Sequence, residues 1–325
     1  MTEQIHNAIR NAITNLHADA ADVSIPDDLA RLDSSPIPGL SLSWKANDEL
    51  HLGHFLAWSG PADNSHEIRV LEALRHTEIP VPELVTAGTA GDRSVMLAEQ
   101  VEGESIARTL ENVGMRWEIS AIAFTYARML ARIHSLDWTK LTPWLEDEES
   151  LPEDIVDDQV EQAFRERESG LEKAPADWNA FLKRVIDWLD LRRPVEVSLC
   201  LCHGQFHPDN IIAVGEDVTA VVNWQQARVT DASVDLAMLP VWLNEVGLSL
   251  EDVELFAQAV NGSYLQSSPR SLGNTPYYSV AQPFDQLIAR LLDRDRPASA
   301  DELERLQGTI ERAMALAGQV PWKNR

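Results

Sequence analysis

Basic residues are scarce in this chain. It carries 27 Lys and Arg against 52 Asp and Glu, a formal charge of -25 over 325 residues. Such a surface repels phosphate backbones and anionic membranes, so neither nucleic acid nor a membrane is an expected partner. It could attract a cationic ligand, although acidity at this level speaks first of solubility. Cysteine is scarcer still. Cys200 and Cys202 are the only two. Two apart on an expected strand, they share a face and bridge each other with difficulty. That argues against a disulfide framework and against a metal site built on CLCH, and for buried free thiols in a reducing compartment. No apolar run approaches the length of a bilayer span. The opening residues, MTEQIHNAIR, lack a basic start followed by an apolar stretch. The expected location is cytoplasmic.

What is present points to a folded protein. Hydrophobic residues make up 44% of the chain, and its length suggests two lobes. Ile5, Ile9, Ile13 and Leu16 share one face of an expected helix over 3–17. The Pro- and Asp-rich stretch that follows reads as a connector. LSLSW and ELHLGHFLAW, around the polar AND, read as a hairpin. SHEIRVLEALRH reads as a helix, IPVPELVTAG as an extended stretch, and GDRSVMLAEQVEG as a turn, a strand and a Gly stop. Beyond Gly103 the pattern turns mainly helical, interrupted by the strands VSLCLC, NIIAV and VTAVVNW. The acidic segment EDEESLPEDIVDD, 146–158, reads as solvated. The expected fold class is α+β: a helical extension over 1–36, a small lobe with a mixed β-sheet over 37–102, and a larger, mainly helical lobe over 103–325. Ligand clefts often lie between such lobes.

Two segments concentrate polar chemistry. HGQFHPDN places His203, Gln205, His207 and Asn210 in one tight loop between strands, and Asn223 follows an apolar strand thirteen residues after Asn210. Together they resemble the active-site signature of the aminoglycoside phosphotransferase family, whose fold is protein-kinase-like. That family carries His-Gly-Asp-x-x-x-x-Asn and, later, an apolar strand ending in Asp-Trp. HEIRVLEALRHTEIPVPELV is similar to its small-lobe helix and the strand after it, MLAEQVEGESI to its hinge, and MLARIHSLD to its large-lobe helix. The resemblance runs over about residues 37–265. ARVTDASVDLAM is similar to the macrolide-phosphorylating branch.

The resemblance implies ATP and magnesium as cofactors, with the phosphates bridged by metal ions and positioning doing most of the catalytic work. It puts Gln205 at the position of the general base, with His203 bracing the loop. Asn210 and Asn223 fall at the two metal positions, Glu67 at the helix glutamate, and Glu99 and Val101 in the hinge. Only Asn210 is the family's expected residue in the metal and base set. A carboxamide takes no proton near neutral pH, and loss of a general base costs on the order of 10²–10⁴-fold in rate. Magnesium is usually held through carboxylates and substrate phosphates, and Asn223 offers a neutral oxygen. The strand lysine that should pair with Glu67 is missing. No Lys or Arg lies between Lys45 and Arg69, and its place falls to Ala57 or Trp58. His51 or His54 could reach a phosphate, but a strand histidine is more often packed or solvent-facing. Asp209 could stand in as a metal ligand, though adjacent side chains usually diverge. Asp231 reads as a turn or cap residue and Asp235 as structural. Trp138 and Trp144 are candidates for a substrate wall, with core packing the commoner role.

Three readings follow. The first is a catalytically impaired phosphotransferase-like protein, a pseudokinase, that binds a small molecule, a nucleotide or a protein partner. The second is an active ATP-dependent kinase acting on a hydroxyl of an aminoglycoside, a macrolide or a sugar, with antibiotic resistance as its setting. The third is a different transfer reaction on the same scaffold. Gln205, Asn223 and the missing lysine favour the first.

Overall fold

The computed structural model describes residues 2–26, 39–141, 154–294 and 297–318. The elements of the first part are α1 (Thr2–Leu16), β1 (Ala21–Ser24), β2 (Gly39–Ala46), β3 (Glu49–Pro61), α2 (Ser65–Leu74), β4 (Leu84–Ala90) and β5 (Arg93–Glu99). Then come β6 (Glu104–Ser105), α3 (Ile106–Glu111), α4 (Arg116–Ser135), α5 (Trp138–Leu141), α6 (Ile155–Lys173) and α7 (Asn179–Asp190). The strands β7 (Leu199–Cys202), β8 (Ile211–Val214), β9 (Asp217–Val221) and β10 (Arg228–Asp231) follow. Four helices end the series: α8 (Leu239–Glu245), α9 (Leu250–Ser267), α10 (Thr275–Leu292) and α11 (Ala300–Ala317). They form two compact units. One holds Met1–Glu146, His203–Arg228 and Trp242–Ser268; the other holds Asp147–Cys202, Val229–Val241 and Pro269–Arg325.

The first unit begins with a five-stranded sheet in the order β1-β2-β3-β5-β4. Every pair in it is antiparallel. The sheet is therefore not mixed as expected, because hairpins rather than crossovers join β2 to β3 and β4 to β5. Ala46 pairs with Glu49 across a two-residue turn. Asn47 and Asp48 both have positive φ, 51° and 61°, the conformation this tight turn needs and one that Asn and Asp tolerate. β1 lies where a connector was expected. It is a mostly exposed edge strand of four residues, so its own pattern carries no alternation and only pairing with β2 defines it.

The two faces of this sheet are set by strand parity. Leu40, Leu42, Trp44, Phe55, Ala57, Val95 and Leu97 pack with Ile5, Ala8, Ile9, Ala12 and Ile13 of α1. Residues of opposite parity, Leu56, Trp58 and Met96, are buried on the other side. α1 approaches β4 so closely that a Cβ on Gly88 would lie 2.1 Å from the Ala8 carbonyl oxygen and 2.2 Å from the Ala12 nitrogen. His51 has the α1-side parity, and its ring stacks on Trp44 at 5.7 Å. His54 has the opposite parity, with Nδ1 2.8 Å from the Ser41 hydroxyl. The rest of this unit joins β6, β8 and β9 in a small sheet and packs α4 against α9. Tyr126 meets Phe256 edge-on at 5.7 Å, and His134 Nδ1 lies 2.7 Å from the Tyr264 hydroxyl.

In the second unit α6, α7, α10 and α11 surround a core that includes Phe164, Leu182, Val185, Tyr277, Phe284 and Ile310. The charged stretch before Lys173 contributes more than solvated surface. Ile155, Val156, Val160 and Phe164 give α6 a buried face, and Arg167 is buried with them. Its guanidinium donates to both oxygens of Asp285 at 2.7 and 2.9 Å. Among the described residues no helix is long and apolar enough to cross a membrane.

Gly88→Ala tests the α1 contact. Overpacking of this kind costs about 1–3 kcal/mol. We expect a lowered denaturation midpoint and faster proteolysis within α1, while an Ala substitution at the open Gly262 leaves α1 protected.

Candidate functional site

The loop from His203 to Asn210 is held by its own polar groups and by the segment after β9. His203 is fully buried. Its Nδ1 accepts the Gln205 N–H at 3.3 Å, so Nε2 carries the proton it gives to the Val222 carbonyl at 3.0 Å. Gly204 has φ +82°, and a Cβ there would lie 2.2 Å from the Gln226 carbonyl oxygen. Glycine is needed for both reasons. The Phe206 carbonyl accepts the Tyr126 hydroxyl.

Asn210 is 1% exposed. Its Nδ2 donates to the Gln205 carbonyl at 2.9 Å, and its own carbonyl accepts the Val222 N–H at 2.9 Å. With the amide so fixed, Oδ1 has no hydrogen-bond partner. The Gln205 side chain is exposed. Burial pushes the His207 pKa down to about 4, so the ring is neutral, and its Nδ1 accepts the Asp209 N–H at 3.0 Å. The Asp209 carboxylate accepts the Ser105 hydroxyl at 3.2 Å, at the start of α3. Burial raises its pKa, and the charges of Glu111 and Glu245 raise it further.

Asn223 follows β9 in the left-handed region, φ +65°, and is half-buried. Trp224 after it is fully buried. Its indole donates to the Val221 carbonyl at 2.9 Å, and its backbone N–H donates to Glu67 Oε1 at 2.8 Å. Glu67 is 1% exposed. The same Oε1 also accepts the Trp58 indole N–H at 3.2 Å. Strand parity separates Ala57 from Trp58: Ala57 faces α1, and Trp58 turns to the glutamate. Two more bonds tie the turn after Asn223. His66 Nε2 lies 2.7 Å from the Ala227 carbonyl, and the Gln225 amide donates to the Ser59 carbonyl at 3.4 Å.

Several other expected residues are placed elsewhere. Glu99 is exposed, and its N–H donates to the Glu83 carbonyl at 2.9 Å; Val101 is half-buried. Asp231 Oδ1 accepts the Ser233 N–H at 2.9 Å and so caps a short turn; Asp235 is buried in the second unit. Trp138 is half-buried on α5, while Trp144 and 146–153 of the acidic segment lie outside the described residues. Sequence reasoning passed over His66 and the Ser105–Asp209 bond. Both are contacts between segments distant in sequence and carry no local signature.

Burial of Glu67 outweighs the bonds it accepts from Trp58 and Trp224 and, least of all, the Gln225 side chain; its pKa is pushed up to about 7. Among the described residues no Lys or Arg forms an ion pair with it. A folded-state value above the unfolded one stabilises the fold at low pH. That stability is fully present below the ordinary value of 4.5 and is lost progressively as pH rises to about 7. The loss amounts to about 3 kcal/mol. In Glu67→Gln this dependence is expected to vanish, so denaturant titrations at pH 5 and pH 8 should differ less for the variant than for the wild type by an amount of that order.

The sheet, the helical region and the polar loop define a kinase-like fold. A family model for the phosphotransferase enzyme family matches residues 59–270, and the chain belongs to that family. No curated protein sequence matches it significantly. Among solved structures it is similar to a Ralstonia eutropha protein assigned to the aminoglycoside phosphotransferases. That pair shares 18% identity, 93% of this chain, 94% of the other and a TM-score of 0.63. It is also similar to an aminoglycoside-3'-phosphotransferase of type VIII, with 19% identity, 85% and 98% coverage and a TM-score of 0.54. An amicoumacin kinase in complex with AMP-PNP, Ca²⁺ and Ami has 12% identity, 93% and 90% coverage and a TM-score of 0.54.

Proposed function

We propose that this chain binds a small molecule on a phosphotransferase scaffold without carrying out magnesium-dependent phosphoryl transfer. The observation that carries the reading is the pairing of Glu67 with the Trp58 indole. In the family's arrangement the partner of that glutamate is a cation that also contacts the phosphates. An indole N–H keeps the hydrogen bond and supplies no charge.

The donor set points the same way. A phosphate-bridging magnesium ion usually relies on one or two carboxylates. Asn210 and Asn223 offer neutral amide oxygens, Gln205 offers no base, and the Asp209 carboxylate is engaged by Ser105. These residues do not fit a magnesium–nucleotide complex. They suit a ligand rich in hydrogen-bond donors or bearing a positive charge, since Asp209, Glu111 and Glu245 place mutually repelling carboxylates around the loop. Nucleic acid is not a partner on this reading, and a protein ligand of the same chemistry fits it.

One observation favours an active kinase instead. Asn210 keeps an unpartnered, buried Oδ1 at a family metal position, and a loose transition state tolerates a missing base better than missing metal ligands. Phosphate release from ATP and magnesium, measured across aminoglycosides, macrolides and sugars, separates the two. We expect no release above buffer. We also expect Gln205→Asp with Asn223→Asp to gain magnesium-dependent nucleotide affinity. Acceptor-dependent release by the wild type, abolished by chelating the metal, overturns the reading.

A further inference from the structure

We infer that Glu67 is a positioning residue that holds the turn of residues 223–227 as a neutral acid, and that loss of its proton releases the turn. The geometry is the argument. One oxygen, Oε1, accepts both the Trp58 indole N–H and the Trp224 backbone N–H. Those two donors sit on different elements, β3 and the turn, and Glu67 on α2 is what joins them. Oε2 has no hydrogen-bond partner, and the Gln225 side chain is a third polar group that faces the carboxyl. A neutral carboxyl satisfies both donors through its carbonyl-type oxygen. A carboxylate here is a buried charge with no Lys or Arg beside it among the described residues; its N–H donors offset only part of the desolvation cost, and hydration on opening relieves the rest.

Opening must occur where the structure is weakest. α2 is anchored by buried Val70, Leu71 and Leu74. β3 is paired on both sides and buries Ala57 and Trp58 on opposite faces. The turn buries Trp224 and Ala227, but it is not part of a helix or a strand: Gln226 is exposed, Gln225 reaches the Ser59 carbonyl at the 3.4 Å limit of a hydrogen bond, and His66 lies on the Ala227 carbonyl. The turn is therefore the part that gives way, and Asn223, in its left-handed conformation next to Trp224, moves with it. Release raises the open population as pH climbs between the ordinary carboxyl range and about 7, after which it levels off. This device operates whatever ligand the site takes, so it stands apart from the proposed function.

Other charged and titratable groups surround the carboxyl. His66 and Arg69 lie on α2 itself. Arg93 of β5 donates to the Ser59 hydroxyl at 2.6 Å, and the His203 ring lies 4.5 Å from Trp224. The readout must therefore sit on the bond to Glu67. The test is the indole N–H resonance of Trp58 in ¹⁵N-tryptophan-labelled full-length protein from pH 5 to 8.5, assigned by its loss in Trp58→Phe. We expect it to titrate with a midpoint near 7. Protection of the Trp224 amide from hydrogen exchange should fall roughly tenfold per pH unit below that midpoint, corrected for intrinsic exchange, then level off. Both dependences should be absent in Glu67→Gln. A Trp58 resonance that stays constant in the wild type overturns the inference without any variant. So does a titration that persists in Glu67→Gln, which would place the proton on His66 or His203.

Discussion

A carboxyl group at 1% exposure, bonded through one oxygen to two N–H donors and, among the described residues, paired with no Lys or Arg, organises the candidate site. Burying a carboxylate without a counter-charge is costly, and the group responds by holding its proton. Glu67 thereby fastens three segments: β3 through Trp58, its own helix α2, and the turn after Asn223 through Trp224. That turn in turn meets the His203 loop. Val222 accepts from the His203 ring and donates to the Asn210 carbonyl, and Gly204 allows the backbones to approach. At low pH the constellation is held together by contacts that are buried or backbone-bound rather than by charge on the loop.

The loop keeps a phosphotransferase frame and changes its charge. His203 and Asn210 brace it, Gln205 and Asn223 are amides where the resemblance leads one to expect carboxylates, and an indole meets Glu67. Asp209 adds an acid to the loop, and Ser105 donates to one of its oxygens. Fold and site are separable properties. Membership of the phosphotransferase family rests on the match over residues 59–270 and the kinase-like fold on the structural neighbours, whereas the chemistry depends on a handful of side chains.

Much of the fold was legible because its elements are periodic. Ile5, Ile9 and Ile13 marked α1. The alternation around Asn47–Asp48 marked the β2–β3 hairpin, since those two residues accept the φ values the turn demands. β1 was not legible, because an exposed four-residue edge strand takes its identity from the strand beside it. The buried face of α6 was hidden by charge: Ile155, Val156, Val160 and Phe164 alternate with acids that dominate the composition. At the site, the identity of each loop residue could be read directly. What could not be read was parity. Only the register of β3 decides that Trp58, and not Ala57, meets Glu67. The raised pKa of Glu67 likewise depends on burial, which no local pattern announces.

On the proposed reading the site has lost its complement to a magnesium-bound nucleotide. Calorimetric titration of ATP into the purified protein, with and without magnesium, tests it most directly. The account predicts that magnesium does not increase ATP affinity, whether ATP binds weakly or not at all. Tight binding that requires magnesium would contradict it, because the amides at Gln205, Asn210 and Asn223 and the indole of Trp58 would then have to support the charge that their chemistry lacks.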